Sequence, residues 1–138
     1  MKSLKRFAVV VIFAALAGAG LHAQSINLRA NIPFEFHVGD ALFPAGEYSI
    51  HGEGSLVILH GDNGVRPGVT LTMAAYGRDL PRQTKLEFNC YGSEYFLTKI
   101  WDSFSQNGRQ VLPTSREKEL AQSGVVPVQT QIIIARSR

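Results

Sequence analysis

From Ile26 to Val38, apolar residues occupy every second position: Ile26, Leu28, Ala30, Ile32, Phe34, Phe36 and Val38, with Asn27, Arg29, Asn31, Glu35 and His37 among the residues between them. Successive side chains of an extended chain point to opposite faces, so this period of two prescribes a long strand with one buried face; a helix would scatter the same residues around its surface. Pro33 has no N–H to give to a ladder, so the strand is expected to lie at a sheet edge there, or to bend or break in two. Gly39 and Asp40 then turn the chain.

The same period recurs downstream. Glu47 to His51 and Ser55 to His60 read as a hairpin reversing over Gly52-Glu53-Gly54. That register puts His51 beside the turn and His60 roughly 15 Å away at ~3.3 Å per residue, too far to share a metal ion. Asp62-Asn63-Gly64 turns into a strand where Val69, Leu71, Met73 and Ala75 alternate with Thr70, Thr72 and Ala74, and Gly77 to Gln83 is a polar connection. A two-residue turn at Gly92-Ser93 sets Cys90 opposite Tyr95, Phe88 opposite Leu97 and Leu86 opposite Lys99. One face of this hairpin then carries Leu86, Phe88, Cys90, Tyr95 and Leu97. The other carries Phe96 and Ile100 among Lys85, Glu87, Asn89 and Thr98, and is either covered by another layer or left as an exposed apolar patch.

Asp102 to Pro113 reads as a loop. Thr114 and Glu117 match a capping box for a short helix through Gln122, closed by Gly124. A last strand places Val126, Val128, Thr130, Ile132 and Ile134 on one side, and Arg136 and Arg138 end the chain. The expected architecture is all-β, a small sandwich or barrel of about seven antiparallel strands with one short helix near the C-terminus.

Ahead of these strands, Lys2, Lys5 and Arg6 precede an unbroken apolar run from Phe7 to Leu21, with small residues gathering before Ala23. This is the pattern of a secretory signal peptide over residues 1–23, leaving 24–138 as a single β domain. Fifteen apolar residues fall short of the roughly 20 that cross a bilayer, so no membrane span is expected after cleavage. Cleavage removes three of the 14 basic residues and none of the 11 acidic ones, leaving 11 of each. The net charge of +3 belongs to the signal, which removes any compositional argument for a nucleic-acid partner. Cys90 is the only cysteine, so the domain must fold without an internal disulfide.

No group of residues specifies a reaction. His37, His51 and His60 read as surface or strand-end residues, Cys90 as a small apolar group in phase with Leu86 and Phe88, and Asp62-Asn63-Gly64 as a turn without the ligands of a calcium loop. No catalytic residue, metal ligand or cofactor is assigned. Among the clustered aromatics of the Gly92 hairpin, Phe96 and Trp101, with Ile100, are the candidate surface contacts.

The run Asn31-Ile32-Pro33-Phe34-Glu35-Phe36-His37-Val38-Gly39, followed by Phe43-Pro44-Ala45-Gly46-Glu47-Tyr48, resembles an uncharacterised family of small exported β-rich proteins common in acidobacterial genomes. Glu94-Tyr95-Phe96-Leu97 with Trp101, and Arg116-Glu117-Lys118-Glu119-Leu120-Ala121, extend the likeness over most of the mature chain. The resemblance implies export and a β domain, and transfers no catalytic residue.

The expected function is therefore non-enzymatic: a secreted or envelope-associated structural protein that associates with itself. The strand 26–38 at the free end of the mature chain could be donated to a neighbour's sheet edge, against the competing reading that it completes its own sheet. The alternative is an extracellular module binding a glycan or envelope protein through Phe96, Ile100 and Trp101. The expected location follows export through the inner membrane: periplasmic, cell-surface or extracellular.

Overall fold

Pro33 does break the opening alternation. In the computed structural model, which describes residues 25–62, 64, 66–75, 83–102 and 107–134, the run forms β1 (Ser25–Ile32) and β2 (Phe36–Val38). The signal segment 1–23, nearly all of the polar connection from Gly77 to Gln83, and Arg136 and Arg138 lie outside the described residues. Parity survives the break: Ile26, Leu28, Ala30, Ile32, Phe36 and Val38 are buried, while Phe34 packs half-buried against the same core. β1 pairs antiparallel along its whole length with β4 (Gly46–Glu53), so the N-terminal strand completes its own sheet.

After the Gly39-Asp40 turn, β3 (Ala41–Phe43) pairs back on β2. β4 and β5 (Leu56–Gly61) form the expected hairpin, with Glu53 opposite Leu56 and the turn at Gly54-Ser55. β6 (Gly68–Ala75) pairs its first half with β5 and its second half with β9 (Asn107–Val111). β7 (Lys85–Tyr91) and β8 (Glu94–Asp102) form the second hairpin, and β10 (Val128–Ile133) lies on the far side of β7. β8 pairs parallel with β2 near its start and antiparallel with β9 near its end. The strands thus run β1-β4-β5-β6-β9-β8 in one path, with β2-β3 and β7-β10 attached to β8. A single buried cluster draws on β1 through β5 and β7 through β9. The one described helix, α1 (Ser115–Gln122), stands where the capping box places it.

The all-β class holds, with ten described strands in place of about seven. Pro33 splits one strand into two, and β3 is too short to show a period. β9 forms within the stretch read as a loop, because its backbone is held between β6 and β8 and asks little of its side chains.

The aromatic positions of the opening motifs build the core. The Phe36 ring lies 5.6 Å from Phe43 and meets Tyr48 and Phe88 edge-on at 5.1 and 5.7 Å. The fully buried Tyr48 satisfies its hydroxyl by donating to the Pro44 carbonyl. Two glycines make room for rings: a Cβ on Gly68 would sit 2.3 Å from the Phe43 ring, and one on Gly108 would sit 2.3 Å from Trp101. The crowding at Gly68 helps to orient β6. Its small members Gly68, Thr70 and Thr72 face inward, Thr72 donating its hydroxyl to the Ser55 carbonyl at 3.1 Å, and Val69, Leu71 and Met73 face out.

Candidate functional site

The β7–β8 hairpin keeps the expected register next to its turn, with Cys90 opposite Tyr95 and Phe88 opposite Leu97. A bulge at Glu87/Phe88 then shifts the ladder by one, so Leu86 faces Ile100 and Glu87 faces Lys99. The shift reverses the parity of everything beyond it. Ile100, expected on the outer face, joins Leu86, Phe88 and Leu97 in the core at 0% exposure.

Phe96 and Trp101 are also covered. Phe96 is 2% exposed because His37, its register neighbour on β2, stacks on it at 4.5 Å and Tyr91 meets it edge-on at 5.8 Å. Trp101 is 8% exposed with its ring over Gly108. The three candidate contacts thus form no exposed patch: Ile100 is redirected by the bulge, and the other two are closed over by β2 and β9. Tyr95 stacks on Phe34 at 3.8 Å, and the Cys90 thiol is buried and donates to the Gly92 carbonyl, a packing role.

The histidine pair also needs correction. Because the turn is Gly54-Ser55, His51 faces Ile58 and His60 faces Ser49, which makes the two diagonal neighbours on the outer face, nearer than the 15 Å of the sequence register. Among the described residues no three His, Cys, Asp or Glu side chains converge where a metal ion could sit. No described helix is long and apolar enough to cross a membrane.

What covers the β7–β8 hairpin creates the first of two sites. Thr114 caps α1 by accepting from the Glu117 amide at 3.2 Å, while Arg116 pairs with Glu94 on β8 at 3.0 Å. The Glu117 carboxyl does not return to the cap. It turns to the sheet and accepts hydrogen bonds from Asn89 and Tyr91. Burial raises its pKa above the ordinary carboxylate range, against the lowering effect of those two donors. Burial, and then the Glu117 charge, raise the Tyr91 phenol likewise.

Beside α1 the sheet carries a polar row across four strands, Gln131, Glu87, Lys99 and Gln110, with Gln129 opposite Asn89 next to it. Glu87 is buried and fully engaged: Gln129 and Gln131 donate to it at 3.1 and 3.3 Å, and Lys85 lies at 3.5 Å. An open recess of about 230 Å³ lies over this row, walled by Asn89, Thr98, Lys99, Gln110, Val111, Pro113, Glu117 and Gln129. Nothing in the sequence announced it, because its walls come from four strands and a helix; the unexplained polar positions of β7 and the Thr114–Glu117 cap were the only traces.

The second site is the outer face of β5 and β6. Val69 is 59% exposed, Leu71 54% and Met73 52%, and they stand beside Ile58, Leu56 and Leu112, with Val69 opposite Ile58 and Leu71 opposite Leu56. Next to this strip the surface becomes polar, where Arg29 of β1 pairs with Glu47 and Asp62. Comparison of the chain with protein-family models, curated proteins and solved structures finds no match.

Proposed function

We propose that the chain is exported through the inner membrane, loses residues 1–23, and works in the periplasm or at the cell exterior as a non-enzymatic protein that associates with itself. The outward apolar strip of β6 carries this reading. A small monomer that turns three consecutive large apolar side chains of one strand face to water leaves them uncovered at a cost that association removes. The occupant is a second copy. A twofold axis near Leu71 sets Val69 of each chain against Met73 of the other, and the mature chain, with 11 basic and 11 acidic residues, carries no net charge to oppose the approach.

The strip is on the order of a few hundred Å² per chain, below the roughly 800 Å² of a standard interface, so the expected dimer is concentration-dependent. Of the stretch 26–38, only β1 contributes, by its outer edge, since its apolar face and its β4 edge are already engaged and β2 is paired on both sides by β3 and β8. The resemblance of the opening motifs to exported β proteins supports the location. Non-enzymatic character follows the reading of the sequence, in which no group of residues specifies a reaction.

Sedimentation velocity on residues 24–138 over a range of concentrations tests the reading. The expected result is a dimer that builds with concentration and disappears in a Leu71→Lys/Met73→Lys variant. A wild-type chain that stays monomeric at the highest concentration overturns it.

A further inference from the structure

We propose that the recess between α1 and the outer face of β7, β8 and β9 is a binding site for one unit of a neutral, hydroxyl-rich ligand of the sugar class. Two of its wall groups are unspent. The half-buried Lys99 ammonium and Gln110 amide stand opposite each other in register, and neither has a hydrogen-bond or ion-pair partner among the described residues. Their neighbours are occupied: Thr98 donates to the Glu87 carbonyl at 3.0 Å, and Gln129 to the Glu87 carboxylate. The free pair supplies donors from Lys99, and both a donor and an acceptor from Gln110, at one end of the recess. The Glu117 carboxyl lies in the same walls as a further acceptor.

A ligand that uses this set must both give and take hydrogen bonds without carrying net charge, because one cation and one carboxyl share the space. Hydroxyl groups do both, and the C–H face of a sugar ring suits the exposed Pro113 in the same walls. A simple anion would satisfy Lys99 but meet Glu117. A simple cation meets the converse. At about 230 Å³ the recess is smaller than a drug-sized pocket, and its open side leaves room for a longer chain to continue into solvent, so the site reads one unit, such as a chain end. The recess adjoins the β6 strip at one point, where Gln110 stands opposite Met73 in register, but its donors and acceptors all come from one chain and do not require association.

The test is a ¹H–¹⁵N NMR titration of residues 24–138 with glucose and N-acetylglucosamine, and with acetate and methylammonium as charged comparators. The expected result is saturable shifts at Asn89, Thr98, Lys99 and Gln110 with at least one sugar and with neither comparator. Lys99→Ala and Gln110→Ala each lose about tenfold in affinity, the size of one or two net hydrogen bonds. The Val69→Lys variant, changed at the end of the strip away from Gln110 and opposite Ile58, binds as wild type. Both alanine variants change half-buried side chains without partners, and unchanged amide spectra elsewhere show that they fold. Absence of saturable shifts with both sugars overturns the proposal, as does undiminished affinity in both alanine variants or a response to the charged comparators alone.

Discussion

The outer face of β5–β6 and the outer face of β7–β8 begin from the same kind of sequence, a strand of period two with apolar residues on both sides or on the unexpected side, and end in opposite states. On β8 the outward Phe96 is closed over by His37 and Tyr91, and α1 comes back across the hairpin through Glu117 and the Arg116–Glu94 pair. On β6 the outward Val69, Leu71 and Met73 remain open to water. The difference lies in the return path of the chain. After β9 the backbone doubles back as α1 over β7 and β8, whereas no described segment crosses β6. Period-two patterning decides which residues share a face; which face becomes interior is decided by what else the chain lays upon it.

That contrast is broken most directly by removing one large side chain from each face. Phe96→Ala should cost about 3–5 kcal/mol in urea unfolding, the usual range for a buried phenylalanine, whereas Leu71→Ala should stay within about 0.5 kcal/mol and weaken association instead. Equal losses at the two positions would show that the faces are not covered differently. A smaller effect, about 1–3 kcal/mol, is expected for Gly108→Ala, because the new methyl meets the Trp101 ring and β9 must shift; tryptophan fluorescence should move with it. Thr114→Ala should cost about 1 kcal/mol by removing the acceptor for the Glu117 amide, and hydrogen exchange should quicken in α1 before it does in β7 or β8.

Much of the fold was legible in residues whose local rules agree. The even-numbered face of β1 and β2, the break at Pro33, the Gly92 turn with its first two cross-strand pairs, and the Thr114 cap each follow from one short stretch. The site was not legible, for reasons that can be located. A single bulge at Glu87/Phe88 reverses the parity of Ile100, and no residue type in that stretch marks it. Phe96 is buried by His37, which lies 59 positions earlier in the chain and reaches it through a parallel pairing. On β6 the threonines took the inward positions because Gly68 lies under the Phe43 ring, a contact invisible to a period of two. The recess combines all three difficulties, since each wall is ordinary alone and only the register brings Lys99 and Gln110 together.

The smallest effect, and the finest probe of the covered face, concerns Glu117. Its folded pKa lies above the ordinary carboxylate value, first because of burial, so the folded state holds this proton more tightly than the unfolded chain does. Stability from this group is therefore fully present below the ordinary carboxylate range and is lost as pH rises through the raised value. Glu117→Gln keeps an acceptor for Asn89 and Tyr91 but cannot ionise, so its stability should not carry that slope. The variant should be close to wild type in acid and gain on it as pH rises from the ordinary carboxylate range through the raised value, then hold that gain, read as the difference between urea midpoints across the range. Parallel pH profiles would place the carboxyl in water and detach α1 from β7, leaving the two outer faces of the sheet alike.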